Sequence, residues 1–398
     1  MKKPEVRLSN CMAGNPENGS HLFVGLPLRQ PRLLIPMASS RTQSRSFGLY
    51  NPGSRHGKLS KFLGQVAARA GLMKAAGRLV AVPIETFNTT SAIRSILDRR
   101  MISSLQDRCQ RAIGKRPFSV ALSLGEPGRY QKVTAIMFDK SSTPLAFAKI
   151  GFSPQAGSLI ANESVALTRL RFKGFREGAF PTLLGCGSAG SVVWLLQSPL
   201  LSGVPSPATL QDAHFDFLAE LAGNTFQVMR PELWTIWSHL RYLADSPTLP
   251  VKAQFRSETA FIMHLRDEFL ASSREGGQMP WPFAAAHGDF APWNVRVAGN
   301  RLLAFDWEYY LSLAPAGWDA LHFIFRVENL IKRKSLESIW AAFEAGAYRN
   351  SVARFERRSG VGIPDERFLG LLVILTIVLD LVPACICGEV RLEGIARS

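Results

Sequence analysis

The stretch AHGDFAPWNVRVAGNRLLAFDWE, residues 286–308, decides how this chain is read. Asp289 and Asn294 stand five residues apart in it. The short extended runs VRV and LLAF flank the turn Ala298-Gly299-Asn300, so they should form a hairpin. Its arms are similar in length, which returns Asp306 to the neighbourhood of Asn294. One carboxylate, one amide oxygen and a second carboxylate are thereby gathered at one end of the hairpin. Phosphoryl transfer requires such a group: a base or positioner for the attacking hydroxyl, and oxygen ligands for a Mg²⁺ that bridges the phosphates. A lone His-Gly-Asp would say little, because isolated acids usually sit on surfaces. The spaced set carries the reading.

HGDFAPWN followed by FDWE resembles the H-G-D-x-x-x-x-N and D-W-E signatures of the aminoglycoside phosphotransferase and choline kinase superfamily. These are small-molecule relatives of the protein kinases, whose own signatures are H-R-D-x-x-x-x-N and D-F-G. The resemblance implies an α+β, bilobal protein kinase-like fold with an antiparallel-sheet N-lobe and a mainly helical C-lobe. It implies Asp289 as catalytic base, Asn294 and Asp306 as metal ligands, and His287 as a support of the catalytic loop. Glu308 matches the acid that follows D-W. Trp318-Asp319 matches a later W-D pair, for whose acid a structural role is implied.

The upstream half bears on the same reading. FSVALSLG (118–125), VTAIMFD (133–139) and LAFAKIG (145–151) read as three strands joined by turns. A helix containing Glu163, Ala166, Leu167 and Leu170 follows, then the apolar strand VVWLLQSPL (192–200). A kinase N-lobe carries a lysine on its third strand, held by a glutamate on the next helix, to grip the α/β-phosphates. Lys149 and Glu163 match those positions. The last strand would end in the hinge, with backbone groups at Leu196, Gln197 and Ser198 facing an adenine or guanine ring. LGEPGRYQ (124–131) lacks G-x-G-x-x-G, which leaves the phosphate-loop contacts unassigned. The resemblance covers roughly residues 118–345.

Beyond Pro199 the apolar spacing becomes helical, with helices expected over 208–222, 231–246 and 255–272. Trp234, Trp237, Trp281 and Trp307 are expected in the core or the acceptor pocket, with core as the default. The most apolar run is Phe368–Leu379. As a helix it reaches only ~18 Å, against the ~30 Å of a bilayer core, so it reads as a buried C-terminal helix.

The N-terminal part differs in charge. Of a formal net charge of +16, residues 1–116 hold 20 Lys or Arg against 5 Asp or Glu, whereas the remainder is nearly balanced. Residues 1–57, rich in Pro, Gly, Ser and Arg, read as a mostly disordered basic tail, and 58–116 as a basic helical extension. Leu59, Phe62, Leu63, Val66, Ala70, Met73 and Ala76 recur at helical spacing among Lys58, Lys61, Arg69 and Lys74. Such a basic amphipathic helix could lie on an anionic membrane or dock its apolar stripe onto the following domain. Docking is preferred, because Gly64, Gly71 and Gly77 make it a poor free-standing helix. A second helix is expected from about Thr90 to Ile113. Five scattered cysteines without C-x-x-C spacing suit a reducing compartment, and LFVGLPL (22–28) is too short and broken for a secretory signal.

The domains expected are thus 1–57, 58–116, a kinase-like N-lobe at 117–198 and a helical C-lobe at 199–398. The function implied is a cytoplasmic, Mg²⁺-dependent small-molecule kinase moving the γ-phosphoryl group of ATP or GTP to a hydroxyl. Its basic arm could add peripheral contact with an anionic membrane. HGDFAPWN is similar to members found alongside bacterial surface-polysaccharide functions, which favours a sugar or glycan-linked alcohol as acceptor. The alternative is a catalytically silent kinase-like module whose basic arm is its main functional feature. Lys149, Asp289, Asn294 and Asp306 are all present, which argues against it. No nucleic-acid motif accompanies the charge, so no nucleic-acid partner is expected.

Overall fold

The computed structural model describes residues 22–26, 31–49, 55–75, 81–83, 99–175, 179–200, 203–246, 248–276 and 279–388. Compactness divides the chain between Phe152 and Ser153.

In the first unit, β1 (Leu22–Leu26), β2 (Leu33–Pro36) and β3 (Val82–Pro83) precede β4 (Ser119–Ser123), β5 (Lys132–Phe138) and β6 (Pro144–Gly151). They follow one another in the antiparallel order β3-β1-β2-β4-β5-β6. The last three are the strands expected from sequence. In the β5–β6 register Thr134 faces Lys149, which places Lys149 on the third of them. Residues 22–49, expected to lack regular structure, instead contain β1, β2 and the helix α1 (Ser40–Ser46). The runs LFVGL and LLIP are too short to show a period among prolines and glycines. Leu34 and Ile35 are nevertheless fully buried, and β2 completes its hydrogen bonding on β4 with Leu33 opposite Ser123. Residues 1–21, 27–30 and 50–54 of that segment lie outside the described residues.

The basic helix occurs as α2 (Arg55–Arg69). It docks, but by its small side. Ala68 is buried, and a Cβ added at Gly64 would stand 2.5 Å from the Phe47 ring. The large apolar stripe expected at that contact faces outward. The second helix is α3 (Arg99–Ile113), and residues 90–98 of that expectation lie outside the described residues.

The second unit begins with α4 (Pro154–Phe172), capped by the Ser153 side chain with Pro154 in the first turn. The hairpin of β7 (Leu183–Ala189) and β8 (Val192–Gln197) follows. Sequence reading places a lobe boundary after residue 198, one residue beyond the end of β8. The Asn162 amide on α4 donates to the carbonyls of Glu308 and Tyr310, each at 2.9 Å, and so binds this helix to the segment after the hairpin.

The remainder is mainly helical. In chain order come β9 (Val204–Pro205), α5 (Asp212–Gly223), β10 (Gln227–Met229), α6 (Thr235–Ala244), α7 (Thr259–Gly276), β11 (Trp281–Ala286), β12 (Val295–Ala298), β13 (Arg301–Ala304) and β14 (Leu311–Pro315). Then follow α8 (Trp318–Arg326), α9 (Leu336–Glu344), α10 (Arg349–Ser359), α11 (Glu366–Val378) and α12 (Leu381–Ile386). Trp234, Trp237, Trp281 and Trp307 are all buried in cores of this unit. Helix α11 has every residue from Phe368 to Val378 buried and is started by Asp365, whose carboxylate accepts from the Phe368 amide at 2.9 Å. Among the described residues no helix is long and apolar enough to cross a membrane. An antiparallel-sheet N-lobe and a mainly helical C-lobe make this an α+β, kinase-like fold.

Candidate active site

The buried strand β11 delivers His287, Gly288 and Asp289 into a loop that is bonded from several sides. The Asp319 carboxylate, at the start of α8, accepts from the amides of His287 at 2.7 Å and Gly288 at 3.1 Å. Gly288 has φ +80°, and a Cβ there would lie 1.9 Å from the Tyr309 carbonyl oxygen. No side chain fits at that approach, which accounts for the glycine of the motif. Burial raises the Asp319 pKa to about 7 against the lowering effect of the two amide bonds.

His287 holds the loop rather than reacting. Its Nε2 donates to the Phe305 carbonyl at 3.0 Å, and its Nδ1 accepts from the Asp289 amide at 3.3 Å. The ring packs against Trp307, centroids 4.5 Å apart. Burial lowers its pKa to about 4, so it is neutral and both ring nitrogens are engaged.

The predicted hairpin is present, with Val295 opposite Ala304 and Ala298 opposite Arg301. The Phe305 amide donates to the Asn294 carbonyl at 3.0 Å, so Asp306 emerges beside Asn294. The Asn294 amide nitrogen donates to the Asp289 carbonyl at 2.9 Å and to Asp289 Oδ2 at 2.8 Å. Both its protons are thereby directed at Asp289, leaving Asn294 Oδ1 as the atom suited to a cation. Asp306 is left-handed (φ 68°, ψ 56°), a conformation that costs a non-glycine residue roughly 1–2 kcal/mol. One carboxylate oxygen from each of Glu163, Asp306 and Glu308 lies within 4.8 Å of the others. Glu163 is fully buried and Glu308 nearly so. These hard oxygen donors suit Mg²⁺ or Ca²⁺ rather than a thiophilic metal.

Asp289 Oδ1 lies 3.5 Å from Arg326 Nη2 and 3.8 Å from His322 Nε2. Burial raises the Asp289 pKa, opposed by Arg326, His287 and the Asn294 hydrogen bond. Arg326 also lies over the Trp293 ring at 5.3 Å, which fixes the guanidinium. The His322 Nδ1 donates to the Phe290 carbonyl at 3.1 Å, and burial lowers the ring's pKa to about 3. Its Nε2 therefore presents a lone pair toward Asp289.

Asp289 opens into a cavity of about 100 Å³. Lys252, His322, Arg326, Thr376 and Asp380 supply its polar lining, and Tyr309, Trp318, Ile377, Val382 and Pro383 the rest. Lys252 Nζ and Asp380 Oδ1 form an ion pair at 2.5 Å. The Thr376 hydroxyl is buried on the otherwise apolar stretch Phe368–Val378 and has no hydrogen-bond partner among the described residues.

Of the residues singled out by sequence, Asp289, Asn294 and Asp306 are brought together at the end of the hairpin, and Glu163 stands with Asp306 and Glu308. Lys149 is a buried residue of β6 in the first unit. Gln197 is a buried residue at the end of β8. Sequence reading missed the cavity's polar residues Lys252, His322, Arg326, Thr376 and Asp380. Trp318, His322 and Arg326 recur at four-residue spacing and so share one face of α8, a signal present in the sequence. Lys252 and Asp380 come from distant segments and carry no such signal.

No protein-family model and no curated protein matches the chain by sequence. Among solved structures it is similar to an aminoglycoside phosphotransferase of Streptomyces rimosus in complex with ADP and streptomycin, at 14% identity and TM-score 0.37. That match covers 63% of this chain and 90% of the other. It is similar to spectinomycin phosphotransferase in complex with ADP and spectinomycin, at 14% identity and TM-score 0.46, over 74% of this chain and 90% of the other. It is also similar to an amicoumacin kinase in complex with AMP-PNP and Ca²⁺, at 11% identity and TM-score 0.42, over 77% and 91%.

Proposed function

We propose that this protein is a small-molecule phosphotransferase that moves the γ-phosphoryl group of ATP or GTP to a substrate hydroxyl, with Asp289 as the base. The observation that carries the reading is the double hydrogen bond from the Asn294 amide to Asp289, on a loop whose hairpin sets Asp306 alongside. Asp289 accepts the proton of the attacking hydroxyl. Asn294 fixes the carboxylate's orientation, while burial makes it more basic and Arg326 opposes that rise. Asp306, Asn294 Oδ1 and the adjoining carboxylates of Glu163 and Glu308 would hold Mg²⁺. When bound, that ion neutralises charge on the transferring phosphoryl group. Lys149 is assigned to the α/β-phosphates and Gln197 to the edge of the nucleotide base.

The acceptor occupies the cavity beside Asp289. Its lining balances Lys252 and Arg326 against Asp380 and Asp289, and His322 is neutral. A polycation would meet two like charges there, and a polyanion likewise. A neutral polyhydroxy compound, such as a sugar or glycan-linked alcohol, meets hydrogen-bonding groups and an apolar wall instead.

The test is Mg²⁺-dependent nucleotide turnover against neutral sugars, sugar phosphates and aminoglycosides. Transfer to neutral acceptors is expected, reduced about 10²- to 10⁴-fold in Asp289→Asn. Absence of nucleotide binding and turnover across the panel overturns the phosphotransferase reading. Preference for aminoglycosides overturns only the acceptor class.

A further inference from the structure

The exposed stripe of α2 lies outside the phosphotransfer chemistry. Leu59, Phe62, Leu63 and Val66 are spaced by three and four residues, so they form one stripe along the helix. They are 55, 59, 56 and 45% exposed, and Leu72, just beyond the turn at Ala70–Gly71, is 62% exposed. The stripe cannot rotate inward without breaking what holds the other side. Gly64 meets the Phe47 ring, Ala68 is buried, and Arg69 Nε donates to Ser44 Oγ at 3.2 Å.

The charge around the stripe has one sign. Residues 55–75 contain Arg55, Lys58, Lys61, Arg69 and Lys74 and no Asp or Glu. A second copy of this face would bring like charges together, which opposes self-association through it. A nucleic-acid backbone would satisfy the cations and leave four large apolar side chains in water. An anionic bilayer satisfies both, taking the apolar side chains among acyl chains and the cations among headgroup phosphates. The 15 residues of α2 reach only about 22 Å, so the helix lies along the surface and does not cross it.

We propose that α2 is a docking face for anionic lipid surfaces, with Leu59, Phe62, Leu63 and Val66 inserted and the flanking lysines on the headgroups. The full chain should co-sediment with vesicles of phosphatidylcholine plus phosphatidylserine far more than with phosphatidylcholine alone, and high salt should weaken the binding. Phe62→Ser with Leu63→Ser should lower binding at least ~10-fold while leaving the thermal midpoint nearly unchanged, because both side chains are more than half exposed. Lys58→Gln with Lys74→Gln should lower it by ~25-fold, about fivefold for each charge removed near the surface. Three results overturn the proposal: no binding to either vesicle, equal binding to both, or lipid-independent self-association that the Phe62/Leu63 variant abolishes without any vesicle binding.

Discussion

The catalytic loop and α2 are both visible in the sequence, yet they are held in opposite ways. The loop at 287–294 is fixed from outside by the Asp319 carboxylate, the Tyr309 carbonyl and the Phe305 carbonyl, and from within by the Asn294 amide. Nearly every side chain in it bears on its shape. Helix α2 is held through Gly64, Ala68 and Arg69, and its largest side chains, Leu59, Phe62, Leu63 and Val66, are exposed. A motif surrounded by obligatory partners is there to position atoms. A large apolar stripe left exposed is where we place contact with something outside the protein.

Substitutions should separate the two regions by the size of their effect on stability. Gly288→Ala should be the most damaging, since its Cβ would fall 1.9 Å from the Tyr309 oxygen on a backbone that is already left-handed. We expect a loss of about 4 kcal/mol or more, read by chemical denaturation, together with loss of activity. Asp319→Ala should follow at about 3 kcal/mol, by leaving two buried amides without an acceptor. Gly64→Val, pressing on Phe47, should cost about 1–3 kcal/mol and release α2 without affecting nucleotide turnover. Phe62→Ser should change stability by less than about 0.5 kcal/mol. A large loss at Phe62 or a negligible one at Gly288 would break the contrast.

Asp319 also gives a pH dependence. Its folded pKa is about 7, above the unfolded value of roughly 3.9, so the native state binds its proton more tightly. This contribution to stability is fully present below the unfolded value and is lost as pH rises through about 7. Stability measured across that window should fall in the wild type relative to Asp319→Asn, whose amide does not titrate. Parallel profiles would show that the amide bonds, not burial, set the protonation of Asp319.

The legibility of these features follows from how local they are. The hairpin and the spacing of Asp289, Asn294 and Asp306 depend on a single stretch of 23 residues, 286–308, and could be read there. The three central strands and Lys149 were legible for the same reason, as alternation within short segments. β1 and β2 were not, because LFVGL and LLIP show no period of their own and become strands only by pairing with each other and with β4. The amphipathic character of α2 was legible, but which side docks was not. That depends on Gly64 meeting Phe47, a contact between side-chain shapes rather than hydrophobicities. The ion pair of Lys252 and Asp380 joins residues more than a hundred positions apart, and no spacing announces it.

The most direct test of the central claim separates nucleotide binding from transfer in one pair of proteins. Nucleotide affinity with and without Mg²⁺, and single-turnover transfer to a neutral polyhydroxy acceptor, should be measured for wild type and Asp289→Asn. The account predicts Mg²⁺-dependent nucleotide binding that is unchanged within about threefold by the substitution, with transfer slowed ~10²- to 10⁴-fold. Equal transfer rates in the two proteins, with nucleotide bound by both, would contradict the assignment of Asp289 as the base.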